Sequence, residues 1–176
     1  HLNQRQIDVI REEVLPALQK QGYEDIGVIT PYRDQVAATK TQLGSQYDVA
    51  TVHKFQGREK DAIVLASVDN IIGEFVDDTN MLNVAVSRAV RSLSVVISNN
   101  KENEKTNYGD LAKYIEYNNF QIIDSKVFSV FDLLYKGYHA QRIQYLRKHK
   151  RVSEYDSENL AYTVIKKILQ MPEFSK

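Results

Sequence analysis

Apolar residues at helical spacing open the chain. Ile7, Ile10, Val14 and Leu18 recur at steps of three and four, so the first segment reads as an amphipathic helix. Asn3 and Gln6 are spaced as a capping box. Pro16 removes one backbone donor and predicts a kink or an early stop, and Gly22 ends the segment. Residues 26–29 are short, apolar and β-branched and stop at Thr30-Pro31, the pattern of a buried parallel strand. Residues 33–43 are helical in composition and close at Gly44. Further strands are predicted over 48–52, 61–68 and 93–98, with a polar turn over 53–59 and a helix over 80–90. Another helix follows over 110–117, and residues 120–123 read as an edge strand.

Strands separated by helical stretches require crossovers, which argues for a parallel sheet with helices on both faces. From residue 126 the pattern turns wholly helical. Phe128, Phe131, Leu134 and Tyr135 mark one face, and Leu160, Val164, Ile168 and Leu169 another. The predicted organisation is an α/β domain over 1–125 and a helical extension over 126–176. Charge changes at the same place. The 23 Lys+Arg and 23 Asp+Glu balance over all 176 residues, yet residues 126–176 carry a net charge of +5 and residues 1–125 a net charge of −5. A basic extension on an acidic body points to a polyanion or an acidic partner surface, and the run 146–151 with Tyr138, Arg142 and Tyr145 nearby is its densest part. A solvated helical face is the alternative meaning of that run.

The chain has no cysteine, which removes disulfides, thiolate metal sites and Cys nucleophiles. No apolar run approaches the ~20 residues of a membrane span, so a soluble cytoplasmic protein without a membrane partner is expected. His1, His53, His139 and His149 show no metal-ligand spacing. None of the seven Gly residues precedes a Lys, so the chain holds no phosphate loop of its own. The strand 63–68 runs into Asp69 as a magnesium-binding acid would, but Asn70 stands where an activating carboxylate is needed. Asp69 therefore reads as a strand-end turn residue.

Three blocks remain: VITPYRDQ from Val28, ATVHKFQGREKDAIVL from Ala50, and MLNVAVSRAVR from Met81. Their order and content resemble the second motor domain of superfamily 1 nucleic-acid helicases, in the branch of the nonsense-mediated-decay helicase. The middle block is similar to helicase motif V and the last to motif VI. The resemblance spans residues 28–91, and the sheet pattern extends it to about 123. It implies a RecA-like fold, related to phosphate-loop NTPases but lacking the loop, cut from a longer protein of the bacterial multidomain helicase type.

The resemblance also implies roles. Arg88 becomes an arginine finger for the γ-phosphate of ATP-Mg, bound mainly on an N-terminal RecA-like domain of the same protein. Arg91, three residues along the same predicted helix, would share a face with Arg88 and support it. Glu59 would contact the nucleotide, commonly its ribose, with Gln56 beside it and the Gly57 backbone toward the phosphates. This turn is expected at the carboxyl ends of the strands, where open α/β sheets collect ligands. Thr51 and His53 would touch the backbone of single-stranded DNA or RNA. A structural role for His53 is equally open, since many members of the branch carry Asp there. Thr30, Tyr32 and Arg33 would extend that track, although Tyr32 fits the core as well. No metal ligand is implied in this chain. The expected function is half of an ATP-dependent helicase motor, inactive as an ATPase alone; a non-catalytic helicase-like module that docks nucleic acid or a partner is the competing class.

Overall fold

The computed structural model describes residues 1–127 and Tyr138. The chain divides into two units, His1–Val127 and Phe128–Lys176. The apolar faces at Phe128–Tyr135 and Leu160–Leu169, with the basic run 146–151, lie outside the described residues.

In the first unit, helix α1 (Gln4–Val9) passes through a π-helical segment (Ile10–Val14) into α2 (Leu15–Lys20). Strand β1 (Ile26–Thr30), α3 (Arg33–Leu43) and β2 (Asp48–Thr51) follow. Then come the single turn α4 (Val52–Phe55), β3 (Lys60–Ala66), α5 (Thr79–Val86) and β4 (Ala89–Val96). A 3-10 turn (Lys101–Lys105) leads into α6 (Asn107–Tyr117). All pairings are parallel and the sheet order is β2-β1-β3-β4. The expected α/β, RecA-like arrangement is what the described residues adopt.

Alternation along the strands sends side chains to two cores. Val28, Val49, Ala62 and Val64 pack with Val9, Ile10, Leu15, Leu18 and Leu43 from the first three helices. Ile29, Ala50, Ile63 and Leu65 pack with Phe55, Leu82, Ala85 and Tyr108 on the other face. Helices thus cover both faces, and apolar burial at about 25 cal/mol per Å² drives each layer. Gly27 lets the layers close: a Cβ there would lie 2.5 Å from Phe55 Cζ and 2.9 Å from Ile63 Cδ1.

Several local expectations are corrected. Pro16 neither stops the first helix nor removes a needed bond, because it sits in the first turn of α2 directly after the π segment. There Leu15 N–H reaches Ile10 O, and the wider turn accommodates a ring that would clash with a regular i−4 carbonyl. Only half the capping box forms: Asn3 Oδ1 accepts from Gln6 N–H at 3.1 Å, whereas the Gln6 side chain turns inward. The predicted polar turn begins as helical turn α4, because burying Phe55 over Gly27 draws the chain back onto the sheet. The helix expected over 80–90 ends at Val86, and Ala89 already pairs with Lys60. Residues 120–123 are not a strand: they follow α6 with exposed Phe120, Ile122 and Ile123.

Candidate functional site

The expected site residues fall at two ends of the sheet. In a parallel sheet the chain must return between strands, so α4 starts at the carboxyl end of β2 and the turn behind it delivers Gln56–Glu59 to the amino end of β3. The expectation that this turn lies at the carboxyl ends is therefore overturned. Gly57 has φ +80, a left-handed conformation that reverses the chain at low steric cost. Arg58 holds the turn: its Nη1 lies 3.1 Å from both carboxylate oxygens of Asp48, and its guanidinium stands 5.8 Å from the Phe55 ring centroid. Lys60 Nζ pairs with Asp25 at 2.7 Å beside it. Gln56, Gly57 and Glu59 are exposed between these anchors.

Arg88 meets the same edge. Its carbonyl accepts from Lys60 N–H at 3.0 Å, so Glu59 and Arg88 enter adjacent strands side by side. The half-buried Arg88 side chain folds back on the end of α5, with Nε donating to Val84 O at 3.2 Å and Nη2 to Ser87 Oγ at 3.0 Å. A cation on the last carbonyls of a helix is electrostatically favourable.

Arg91 does not join it. Arg91 lies on β4 rather than on a helix, and its guanidinium stands 5.1 Å from the ring centroid of Tyr23, which packs on the opposite core layer. The expected shared face is lost because residues 89–96 pair with β3 as a strand that starts four residues before the predicted one.

At the carboxyl end, Thr30 and Thr51 are register partners on β1 and β2. Thr30 is only 1% exposed, and its hydroxyl has no hydrogen-bond partner among the described residues. Thr51 is half-buried and caps α4 through its backbone, without a side-chain capping bond. His53 and Lys54 are exposed on that turn. Tyr32 Oη donates to Asp69 Oδ2 at 2.7 Å. Burial, then the hydrogen bond to Asp69 and its charge, push the Tyr32 phenol up to about 12. Its ring stacks on His1 (centroids 4.2 Å apart, planes 10° apart) and touches Phe75 at 5.6 Å. Arg33 is exposed at the start of α3.

Sequence reasoning missed the polar frame behind this end. Gln35 is buried, accepts from Asn3 N–H at 2.8 Å and donates to Asn3 O at 3.1 Å. Gln6, also buried, accepts from Val68 N–H at 2.9 Å and donates to Ser67 Oγ at 3.3 Å. Asn3 Nδ2 donates to Val68 O at 2.6 Å. These bonds hold Val68 at φ +69, a costly conformation for a β-branched residue, and so aim the next side chain, Asp69, at Tyr32. Gln35 closes the TPYRDQ block, and a Gln in an otherwise helical surface stretch is the signal that it carries a role.

Among the described residues no three His, Asp or Glu side chains group to hold a metal ion, and no helix is long and apolar enough to cross a membrane. The AAA domain family profile matches residues 1–101, over half of the chain. The chain belongs to the AAA domain family. Curated relatives of this AAA domain are helicases and a DNA-binding protein. It is 40% identical over 83 residues to DNA polymerase alpha-associated DNA helicase A of Schizosaccharomyces pombe, covering 44% of the chain and 13% of that protein. It is 38% identical over 76 residues to human DNA replication ATP-dependent helicase/nuclease DNA2, covering 39% of the chain and 7% of that protein. It is 35% identical over 99 residues to rat DNA-binding protein SMUBP-2, covering 53% of the chain and 10% of that protein. The AAA domain is thus of the superfamily 1 helicase type, and it spans about a tenth of these relatives' length.

Proposed function

We propose that residues 1–125 are the second RecA-like motor domain of an ATP-dependent superfamily 1 nucleic-acid helicase, with residues 126–176 as a basic extension. The carrying observation is the meeting of Glu59 and Arg88 at one sheet edge, fixed by the Lys60–Arg88 backbone bond. The N-terminal RecA-like domain of the same polypeptide binds ATP-Mg through its own phosphate loop. Gln56, Gly57 and Glu59 face the nucleotide's sugar and phosphates from this side. Arg88 leaves the end of α5 and neutralises charge developing on the γ-phosphoryl group, an effect worth about 10³–10⁵ in rate where arginine fingers have been studied. The chain alone, holding half the cleft, does not turn over ATP.

The opposite end of the sheet carries the single strand of DNA or RNA. Thr51 and His53 contact phosphates there, with Arg33 adding charge, and such contacts position a strand without reading its sequence. Buried Thr30 shapes the end of β1 beside Thr51. Strand β3, about 20 Å long at ~3.3 Å per residue, connects the two ends as one rigid element. Closure on nucleotide thereby shifts the track.

The test is Arg88→Ala in the full-length protein, with strand-stimulated ATP turnover and single-strand affinity measured together. Loss of turnover with affinity kept supports the motor. Unchanged turnover removes the finger and favours a non-catalytic docking module.

A further inference from the structure

Tyr32, the aromatic of the expected strand track, has a ring that already contacts two others and a hydroxyl bound to Asp69. The exposed member of this cluster is Phe75. It lies in the loop 67–78 that leaves the carboxyl end of β3, it is 57% exposed, and it leans on Tyr32 with planes 31° apart. Ile71, on the same loop, is 53% exposed. We infer that Phe75 is a base-stacking residue, receiving one unpaired nucleobase of the single strand whose phosphates run past Thr51 and His53.

Three observations carry this. First, the ring is held in place: Val76 behind it is buried in the core, Ile72 N–H donates to Asn103 Oδ1 at 2.9 Å, and Asp77 accepts from Asn107 N–H at 2.7 Å. Second, its place is the carboxyl end of the sheet, beside the residue that follows β1, where the phosphate contacts are proposed. Third, three of the loop's four acids are engaged by the protein itself, which leaves Glu74 as the exposed carboxylate beside Phe75. Asp69 takes the Tyr32 hydroxyl, Asp77 the start of α6, and Asp78 caps α5 by accepting from Met81 N–H at 2.7 Å. Stacking uses the π-face of any base, so it needs no cation in the loop and gives no sequence preference. Arg33, next to Tyr32, supplies exposed positive charge at this end.

The inference rests on the nucleic-acid reading above, and its test separates the two. Full-length protein, wild type and Phe75→Ala, is titrated with a fluorescent thymidine homopolymer and with an equally long strand carrying abasic sites in place of bases. Stacking of about 1–3 kcal/mol per base corresponds to a roughly 5- to 150-fold loss of thymidine-strand affinity in Phe75→Ala. Affinity for the abasic strand stays unchanged by the substitution, and Phe75→Trp restores or exceeds wild-type binding. Wild-type binding with no effect of Phe75→Ala, or an equal loss on both strands, overturns the stacking role while leaving the strand track standing. No binding of either strand by the wild type overturns both.

Discussion

Lys60 N–H donates to Arg88 O at 3.0 Å, which locks the entry of β3 to the entry of β4. Through that bond the residue before Lys60, Glu59, and the end of α5 share one edge of the sheet. Arg91, only three positions on, has crossed to the Tyr23 side. Two arginines close in sequence are therefore separated by the sheet itself.

This separation predicts different phenotypes. Arg88→Ala in the full-length protein lowers ATP turnover by about 10³ or more, as loss of a finger does, with a small effect on stability. Arg91→Ala removes a cation over the half-buried Tyr23 ring and lowers stability by about 0.5–1 kcal/mol, with turnover within a few-fold of wild type. Steady-state ATPase assays alongside urea unfolding distinguish the two. Equal loss of turnover in both variants would return Arg91 to the nucleotide edge.

Gly57 gives a second prediction. No atom lies within 4 Å of a Cβ built there, so a substitution meets no clash and only the φ of +80 is penalised. Gly57→Ala then costs about 1–2 kcal/mol of backbone strain. If the turn relaxes instead, Glu59 moves, and the KM for ATP rises while single-strand affinity stays constant. A variant as stable as wild type with an unaltered KM would show that the turn needs neither this conformation nor this geometry.

Much of the fold was legible because burial is written in consecutive residues. β1 and β3 are apolar nearly throughout, as strands covered on both faces must be, and Gly44 marks the end of α3 with φ +76. Other features depend on partners far along the chain. The 86–89 boundary is set by β3 pairing, since residues 84–90 are compatible with a helix until Lys60 claims the Arg88 carbonyl. The run 120–123 has strand composition but joins no sheet among the described residues. At the site, block resemblance singled out the turn 56–59 and Arg88, and the backbone brings Glu59 and Arg88 to adjacent strand entries. That Arg91 diverges, and that the Tyr32 ring is already engaged, was set by Tyr23, Asp69 and Phe75, none of which lies in a block with them.

Gln6 provides a stability prediction. Its side chain satisfies Val68 N–H and Ser67 Oγ inside the protein. Gln6→Ala leaves that N–H buried without a partner, which costs about 1–3 kcal/mol. Val68 is then less firmly held at φ +69, so the Asp69–Tyr32 bond weakens as well. Chemical denaturation reads the first effect, and the Tyr32 titration reads the second as a fall in its pKa. Unchanged values in both would mean that the backbone at Val68 holds itself.

The Tyr32 phenol fixes a pH window. Its folded value, about 12, lies above the ordinary 10.0, because burial and Asp69 both favour the neutral form. A group raised on folding contributes stability that is complete below its unfolded pKa and declines as pH rises from about 10 through 12. Tyr32→Phe removes the hydrogen bond to Asp69 and with it this alkaline contribution. Between pH 10 and 12 the wild type should lose stability more steeply than Tyr32→Phe, the two curves converging as the phenol ionises. Ultraviolet difference titration of the same pair should show one late-ionising phenol missing from the variant. Parallel stability curves across that range, or a phenol that ionises near 10, would place Tyr32 in solvent rather than against Asp69.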